Sequence, residues 1–96
     1  MNYSFIGLGN MAGAILRGMQ TSGRFRDDKL YGFDTNPQAA LELEKSMNLI
    51  PAGSADEAAA NAEVIVLCVK PQVMGSLLQD IRESIDQSKA VITIAA

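Results

Sequence analysis

The 96-residue sequence contains no histidine, no tryptophan and only one cysteine, Cys68. Without histidine, neither the common zinc sites nor a Ser-His-Asp triad can be built, and a single cysteine cannot form an internal disulfide. The longest strongly apolar run, residues 64–69, is too short to span a bilayer, and no basic residue precedes Arg17 to begin a signal peptide. These absences predict a soluble, cytosolic protein with no metal site and no membrane partner, whose chemistry comes from a cofactor.

Basic residues are also few, because eight Lys and Arg stand against 11 Asp and Glu, for a net charge of −3. They are scattered singly rather than clustered, so nucleic acid is not an expected partner. The apolar content of 48% can fill one core, and a chain of this length is expected to fold as one domain.

Short apolar runs alternate with amphipathic stretches, which is typical of βαβ units around a parallel sheet. The predicted strands cover residues 3–6, 29–33, 49–50, 64–69 and 90–96. The run at 64–69 is rich in β-branched residues and fits a central strand that helices cover on both faces. The predicted fold class is therefore α/β, a doubly wound parallel sheet with strand order 3-2-1-4-5 and helices on both faces.

Start signals place the helices between these strands. One helix follows a Gly-rich turn, and the next runs from Pro37 to about residue 47 with Asn36 as its N-cap. A capping box at residues 54–57 opens a short helix. A last helix follows Pro71, with a predicted buried stripe that comprises Val73, Leu77, Ile81 and Ile85.

Gly7-x-Gly9-x-x-Ala12 joins the first strand to the first helix, the context in which this spacing has mechanical meaning. Gly7 permits the tight turn, Gly9 removes the side chain that would collide with a pyrophosphate, and Ala12 lets the helix pack close to the sheet. Asn10 and Met11 fill the variable positions and border the same crevice. The pattern predicts dinucleotide phosphates at the helix N-terminus, and a tight turn without a ligand is the alternative.

The end of the second strand bears on the choice of dinucleotide. Asp34 follows Ala12 at close to the separation of about 20 residues at which an acid accepts hydrogen bonds from the adenosine ribose, which favours NAD over NADP. Thr35, Asn36 and the N-terminus of the helix at Pro37 could instead bind a 2′-phosphate without a basic side chain. An ordinary acidic turn is a third possibility, and both cofactors stay open.

The loop after the fourth strand is expected to face the Gly-rich turn, because the strand order places the first and fourth strands side by side. Lys70, in this loop, is either a solvated strand end or a group that contacts the cofactor ribose or an acidic substrate. Cys68, just before it, is predicted to be a small buried apolar residue.

Three blocks taken together resemble the N-terminal half of the pyrroline-5-carboxylate reductases; they are FIGLGNMA at 5–12, VLCVKPQ at 66–72 and VITIAA at 91–96. The resemblance implies an NAD(P)-binding Rossmann domain over residues 1–96 that binds NADPH or NADH. It places the adenosine ribose at Asp34, Thr35 and Asn36, and the nicotinamide at Val69, Lys70, Pro71 and Ala95. The implied reaction is hydride transfer to the C=N carbon of 1-pyrroline-5-carboxylate, a cyclic imino acid, which gives L-proline.

In that family a helical domain follows, makes the dimer and contributes the substrate-contacting groups, so the resemblance implies a homo-oligomer with its catalytic residues there. The chain ends at an apolar strand, and we expect it to be the front part of a longer protein that binds cofactor but turns over little alone. Asp34 departs from the Ser, Arg or Thr that NADPH-preferring members often have. Two alternatives stay open: another NAD(P)-dependent dehydrogenase of hydroxyacid or deazaflavin type, and a non-catalytic dinucleotide-sensing module.

Overall fold

A parallel sheet with helices on both faces makes up the computed structural model, which describes residues 1–94. The strands are β1 (Asn2–Ile6), β2 (Lys29–Phe33), β3 (Ile50–Pro51), β4 (Val64–Leu67) and β5 (Ala90–Thr93). The helices are α1 (Asn10–Ser22), α2 (Pro37–Met47), α3 (Ala55–Ala60) and α4 (Pro71–Ile81), and a 3₁₀ turn covers Arg82–Ser84. All neighbouring strands are parallel in the order β3-β2-β1-β4-β5, which confirms the predicted fold class.

The chain changes direction across the sheet between β1 and β4. From β1 it moves outward through β2 to β3, and it then returns to the other side of β1 for β4 and β5. One buried cluster joins the sheet to α1 and α2, and a second joins it to α3 and α4. The helices therefore divide between the two faces, and ligands of such sheets bind at the point where the strand order reverses.

Local capping explains where two helices begin. The Asn36 side chain accepts a hydrogen bond from the Gln38 amide at 3.1 Å, as its predicted N-cap role requires. At α3, the Ser54 hydroxyl accepts from the Glu57 amide at 3.0 Å, and the Glu57 carboxylate accepts from the Gly53 amide. Each cap satisfies amide groups that have no partner inside the helix, so these starts were predictable from sequence.

Strand ends differ from the prediction at several places. β4 ends at Leu67 rather than at residue 69, because the neighbouring strand β1 ends at Ile6. The Cys68 amide still donates to the Ile6 carbonyl at 2.8 Å. β3 covers residues 50–51 rather than 49–50, because the Leu49 amide donates to the Leu43 carbonyl at the end of α2 at 3.4 Å and pairing with β2 starts at Ile50. β5 ends at Thr93, and the predicted strand residues 95–96 lie outside the described part of the chain.

The predicted buried stripe of α4 is wrong at Val73 and holds only in part at Ile85. Val73 is 45% exposed, because it lies in the first turn of the helix at the carboxyl edge of the sheet. Ile85 follows the 3₁₀ turn and is only partly buried. Leu77 and Ile81, in the middle, are buried as predicted. Within residues 1–94, no helix has the length and apolar character needed to cross a membrane.

Candidate functional site

The loops after β1, β2 and β4 meet at one edge of the sheet. The strand register pairs Ile6 with Phe33 on one side and with Leu67 on the other, so all three strands end at the same level. A cleft of about 430 Å³ opens there, and the residues that line it are Ile6, Gly7, Gly9, Phe33, Asp34, Thr35, Cys68, Val69, Lys70, Val73 and Leu77.

Gly7 is required by the fold itself. Its φ of +91° lies in the region that disfavours side chains, and its amide donates to the Phe33 carbonyl at 2.9 Å. A Cβ at this position would overlap the Cys68 carbonyl and lie 2.9 Å from Cγ1 of Val69. The turn can therefore pass over the end of β4 only because residue 7 has no side chain.

Gly9 differs from Gly7, because nothing in the protein requires it to lack a side chain. Apart from its chain neighbours and the backbone of α1, a Cβ there would have no atom of residues 1–94 within 4 Å, so it would stand in open space, and Gly9 lines the cleft. Gly9 is also the N-cap of α1, where no side chain caps the helix and no acidic residue occupies the first turn. The first amides of α1 therefore lack a side-chain acceptor at the positive end of the helix dipole.

The remaining residues of the Gly-rich turn divide by burial. Ala12 is fully buried and lets α1 pack against the sheet, as its position in the motif predicts. Asn10 and Met11 are exposed in the first turn of α1, and Met11 is 45% exposed. They border the cleft without lining it.

Asp34 makes two contacts with backbone amides. Its Oδ2 accepts from the Leu8 amide at 2.6 Å, and its Oδ1 accepts from the Asn36 amide at 2.8 Å. The contact to Leu8 was missed at the sequence level, since a backbone amide leaves no signature in the residue pattern. Asp34 and Thr35 also border a second cavity, of about 360 Å³, whose other lining residues are Phe33, Pro37, Ala40, Leu41, Pro51, Ala52 and Gly53.

The loop after β4 forms the opposite wall of the cleft. Val69 is half-buried and Lys70 is exposed, and both line the cleft. Lys70 is the N-cap residue of α4 through its backbone, and Pro71 begins the helix. Cys68 is 8% exposed, as predicted, and this burial raises the pKa of its thiol above the ordinary cysteine value.

Of the predicted site residues, the structure brings together in this cleft Gly7, Gly9, Asp34, Thr35, Val69 and Lys70. Asn10, Met11, Ala12, Asn36 and Pro71 lie beside it in the chain without lining it, and Ala95 lies outside the described residues. The prediction missed the apolar lining residues Ile6, Phe33, Val73 and Leu77. Ile6 and Phe33 could have been found as the last residues of adjacent strands. Residues 1–94 hold no cluster of three or more His, Cys, Asp or Glu side chains suited to a metal ion.

A family model described as "NADP oxidoreductase coenzyme F420-dependent" matches residues 2–96. The pyrroline-5-carboxylate reductase of Escherichia coli (strain K12) is 35% identical over 92 residues, which are 96% of this chain and 34% of that protein. The likeness inferred from the three sequence blocks is thereby confirmed. The chain spans about a third of the length of the curated relatives it matches.

Solved structures share the fold. Plasmodium falciparum pyrroline carboxylate reductase with NADP bound superposes with a TM-score of 0.79 at 28% identity, over 99% of this chain and 33% of that one. Mycobacterium tuberculosis 3-hydroxyisobutyrate dehydrogenase, solved with L-serine, superposes with a TM-score of 0.82 at 24% identity, over 98% of this chain and 31% of that one. Because enzymes with different substrates share this fold, the fold alone does not select a substrate.

Proposed function

The chain belongs to the family described as "NADP oxidoreductase coenzyme F420-dependent", and from this membership we propose that it is the cofactor-binding part of a pyrroline-5-carboxylate reductase. In this proposal the cleft binds NADPH or NADH, and the whole protein reduces 1-pyrroline-5-carboxylate to L-proline. The 35% identity to a protein of that name supports the substrate. The NADP bound to a solved relative of similar name supports the cofactor.

One observation carries the proposal, namely the open, uncapped start of α1. Gly9, which lines the cleft, has open space where a side chain would begin, and within residues 1–94 no side chain caps α1 and no acidic residue lies in its first turn. A pyrophosphate needs close approach to backbone, several amide donors and a positive local field. Gly9 and the first turn of α1 offer all three, so the residues present fit a dinucleotide.

The site residues follow from this placement. We assign the pyrophosphate to the turn and first helical turn, which comprise Gly7, Gly9, Asn10, Met11 and Ala12. The adenosine end is assigned to Asp34, Thr35 and Asn36 with the cavity of about 360 Å³ beside them. The nicotinamide end is assigned to Val69, Lys70 and Pro71, with Ala95 as its predicted neighbour.

When bound, the reduced nicotinamide supplies the hydride that an imine carbon accepts. The chain's own contribution is to bind and orient. The cleft wall at the nicotinamide end is apolar, because it is lined by Val69, Val73 and Leu77. An apolar wall favours an uncharged ring and excludes water. The exposed Lys70 places a positive charge at the rim, where it attracts the carboxylate of the substrate.

The proposal extends to the whole protein in three respects. The substrate is a small cyclic imino acid, and the groups that contact it lie in a second, helical domain. That domain joins copies of the whole protein into a homo-oligomer. Light scattering on the whole protein would detect this assembly. The reaction takes place in the cytoplasm, where NADPH and NADH are supplied.

A titration of this chain with NADPH and with NADH tests the cofactor site. The fluorescence of the reduced nicotinamide reports binding, and the sequence has no tryptophan to interfere. Gly9→Ala is expected to lower the affinity for both cofactors by about tenfold or more, because the methyl group would hinder the approach of the pyrophosphate to the α1 amides.

Gly18→Ala is the matched control, since Gly18 also lies in α1 and its Cβ would also meet no atom of the described residues within 4 Å apart from the adjacent backbone. This variant is expected to bind like the parent chain. Equal binding by Gly9→Ala and the parent would contradict the pyrophosphate assignment. Absence of binding by the parent at millimolar cofactor would overturn the cofactor assignment as a whole.

A second candidate is an NADP oxidoreductase that uses coenzyme F420, because the matching family carries that description. The protein expressed from its own gene is therefore incubated with NADPH and either 1-pyrroline-5-carboxylate or oxidised F420. Formation of L-proline supports the first proposal. NADPH oxidation with F420 but not with the imine would replace it with the second.

A further inference from the structure

Two consecutive amides of the Gly-rich turn are held by two consecutive residues at the end of β2. The Gly7 amide donates to the Phe33 carbonyl at 2.9 Å, and the Leu8 amide donates to Oδ2 of Asp34 at 2.6 Å. The first bond continues the pairing of β1 with β2, whereas the second uses a side chain. Asp34 therefore extends the attachment of the turn to β2 by one residue beyond the sheet.

The second oxygen of Asp34 is engaged as well. Oδ1 accepts from the Asn36 amide at 2.8 Å, which shapes the turn into α2. A carboxylate that accepts one backbone amide on each oxygen has a fixed plane. The amides and the nearby N-terminus of α2 also offset its negative charge.

The position of Leu8 makes its amide important for Gly9. Gly7 has a positive φ that only glycine adopts readily, and the Leu8 side chain is 6% exposed in the core. The peptide between Gly7 and Leu8 is thus held through the Asp34 bond on one side and through core packing on the other. The next residue is Gly9, where the amides assigned to the pyrophosphate begin.

We propose that Asp34 is a positioning residue that sets dinucleotide affinity by fixing the Leu8 amide, and that it does not select between NADH and NADPH. The inference rests on the proposed cofactor function of the cleft. An acid at the end of the second strand ordinarily selects NAD by accepting from the ribose 2′-hydroxyl. Here each carboxylate oxygen already accepts from a backbone amide. These two charge-assisted bonds hold the carboxylate against the turn and leave it a weaker acceptor for a ribose hydroxyl, so we expect other groups to read the 2′ position.

The proposal is tested with Asp34→Asn, which keeps one acceptor atom but turns an NH₂ group toward one of the two amides. Asp27→Asn is the control, because exposed Asp27 lies in the loop between α1 and β2 and the same charge is lost. We expect Asp34→Asn to lower the affinities for NADH and for NADPH by a similar factor of about ten. The ratio of the two affinities then stays within about twofold of the parent value. The Leu8 amide resonance is expected to move in this variant and to stay in place in Asp27→Asn.

A measurement on the parent chain does not depend on the variant's folding. Through-hydrogen-bond coupling between the Leu8 nitrogen and the Asp34 carboxyl carbon is recorded by NMR, first without cofactor and then with saturating NADH or NADPH. We expect the coupling in all three states. Its absence without cofactor, or its loss when NADH binds, would overturn the proposal, because the carboxylate would then be free to bind the ribose.

The outcomes separate this inference from the proposed function. A change of tenfold or more in the NADPH-to-NADH affinity ratio of Asp34→Asn would show that Asp34 reads the ribose and would refute its positioning role. Failure of the parent chain to bind either cofactor would refute the proposed function. The coupling measured without cofactor would still decide whether Asp34 holds the Leu8 amide.

Discussion

Gly7→Ala tests the geometry on which the whole site depends. The substitution would require a non-glycine residue at φ +91°, which costs on the order of 1–3 kcal/mol. The new Cβ would also overlap the Cys68 carbonyl, a backbone atom that can move only with the end of β4, at a further cost of about 1–3 kcal/mol. We therefore expect a loss of about 2–6 kcal/mol, against a total of about 5–14 kcal/mol for a chain of this length.

Urea denaturation followed by far-ultraviolet circular dichroism measures this loss, and Gly75→Ala is the control. Gly75 lies within α4, and apart from the adjacent backbone a Cβ there would meet no atom of residues 1–94 within 4 Å, so alanine is expected to stabilise the chain by about 0.5–1 kcal/mol. A free energy of unfolding for Gly7→Ala within about 0.5 kcal/mol of the parent value would refute the reasoning, because it would mean that the turn can move away from β4 at little cost.

Three further predictions concern the rest of the chain. The buried Cys68 thiol, whose pKa is raised, is expected to react with iodoacetamide more slowly than in the urea-unfolded chain, and equal alkylation rates in both states would contradict this. Because the thiol ionises at lower pH in the unfolded chain, the free energy of unfolding should fall as pH rises past the ordinary cysteine pKa. The Lys89 Nζ donates to carbonyls at the end of α3 at 2.8, 3.2 and 2.8 Å, so Lys89→Met is expected to lose about 1–2 kcal/mol in urea denaturation. A Cβ on Gly32 would lie 2.7 Å from Cδ2 of Leu49, so Gly32→Ala is expected to lose about 1–3 kcal/mol, and Leu49→Val in the same chain should recover part of it in a double-mutant cycle.

Local patterns were sufficient to predict most of the fold. Asn36 and Ser54 cap helices at the predicted positions, because a cap depends on groups within three residues of each other. The apolar run after residue 63 forms a buried interior strand between β1 and β5, as expected because strands covered on both faces are typically apolar throughout. The strand order was the one expected of a sheet whose first turn is Gly-rich, and it correctly placed that turn beside Lys70.

The candidate site was predictable in its location and less so in its contacts. The motif predicted that Gly7 and Gly9 lie in a ligand-binding turn. Only the structure shows that Gly7 must lack a side chain because the Cys68 backbone lies against it, whereas no such contact exists at Gly9. Val73 was predicted to be buried because its spacing matches that of Leu77, but spacing carries no information about where the sheet ends beneath a helix.

The sequence alone indicated the fold class through short-range periodicity, capping and turn chemistry. The Gly-rich turn then indicated a dinucleotide-binding sheet, and the strand order of such sheets predicted which loops meet at the cleft. Only the tertiary structure decided what Asp34 contacts. Its bond to Leu8 joins residues 26 positions apart and depends on where the ends of β1 and β2 lie within a fraction of an ångström. A residue pattern records side-chain types and not backbone amides. It therefore left a ribose contact, a 2′-phosphate site and an ordinary acidic turn open at this position, and it could not show the Leu8 amide.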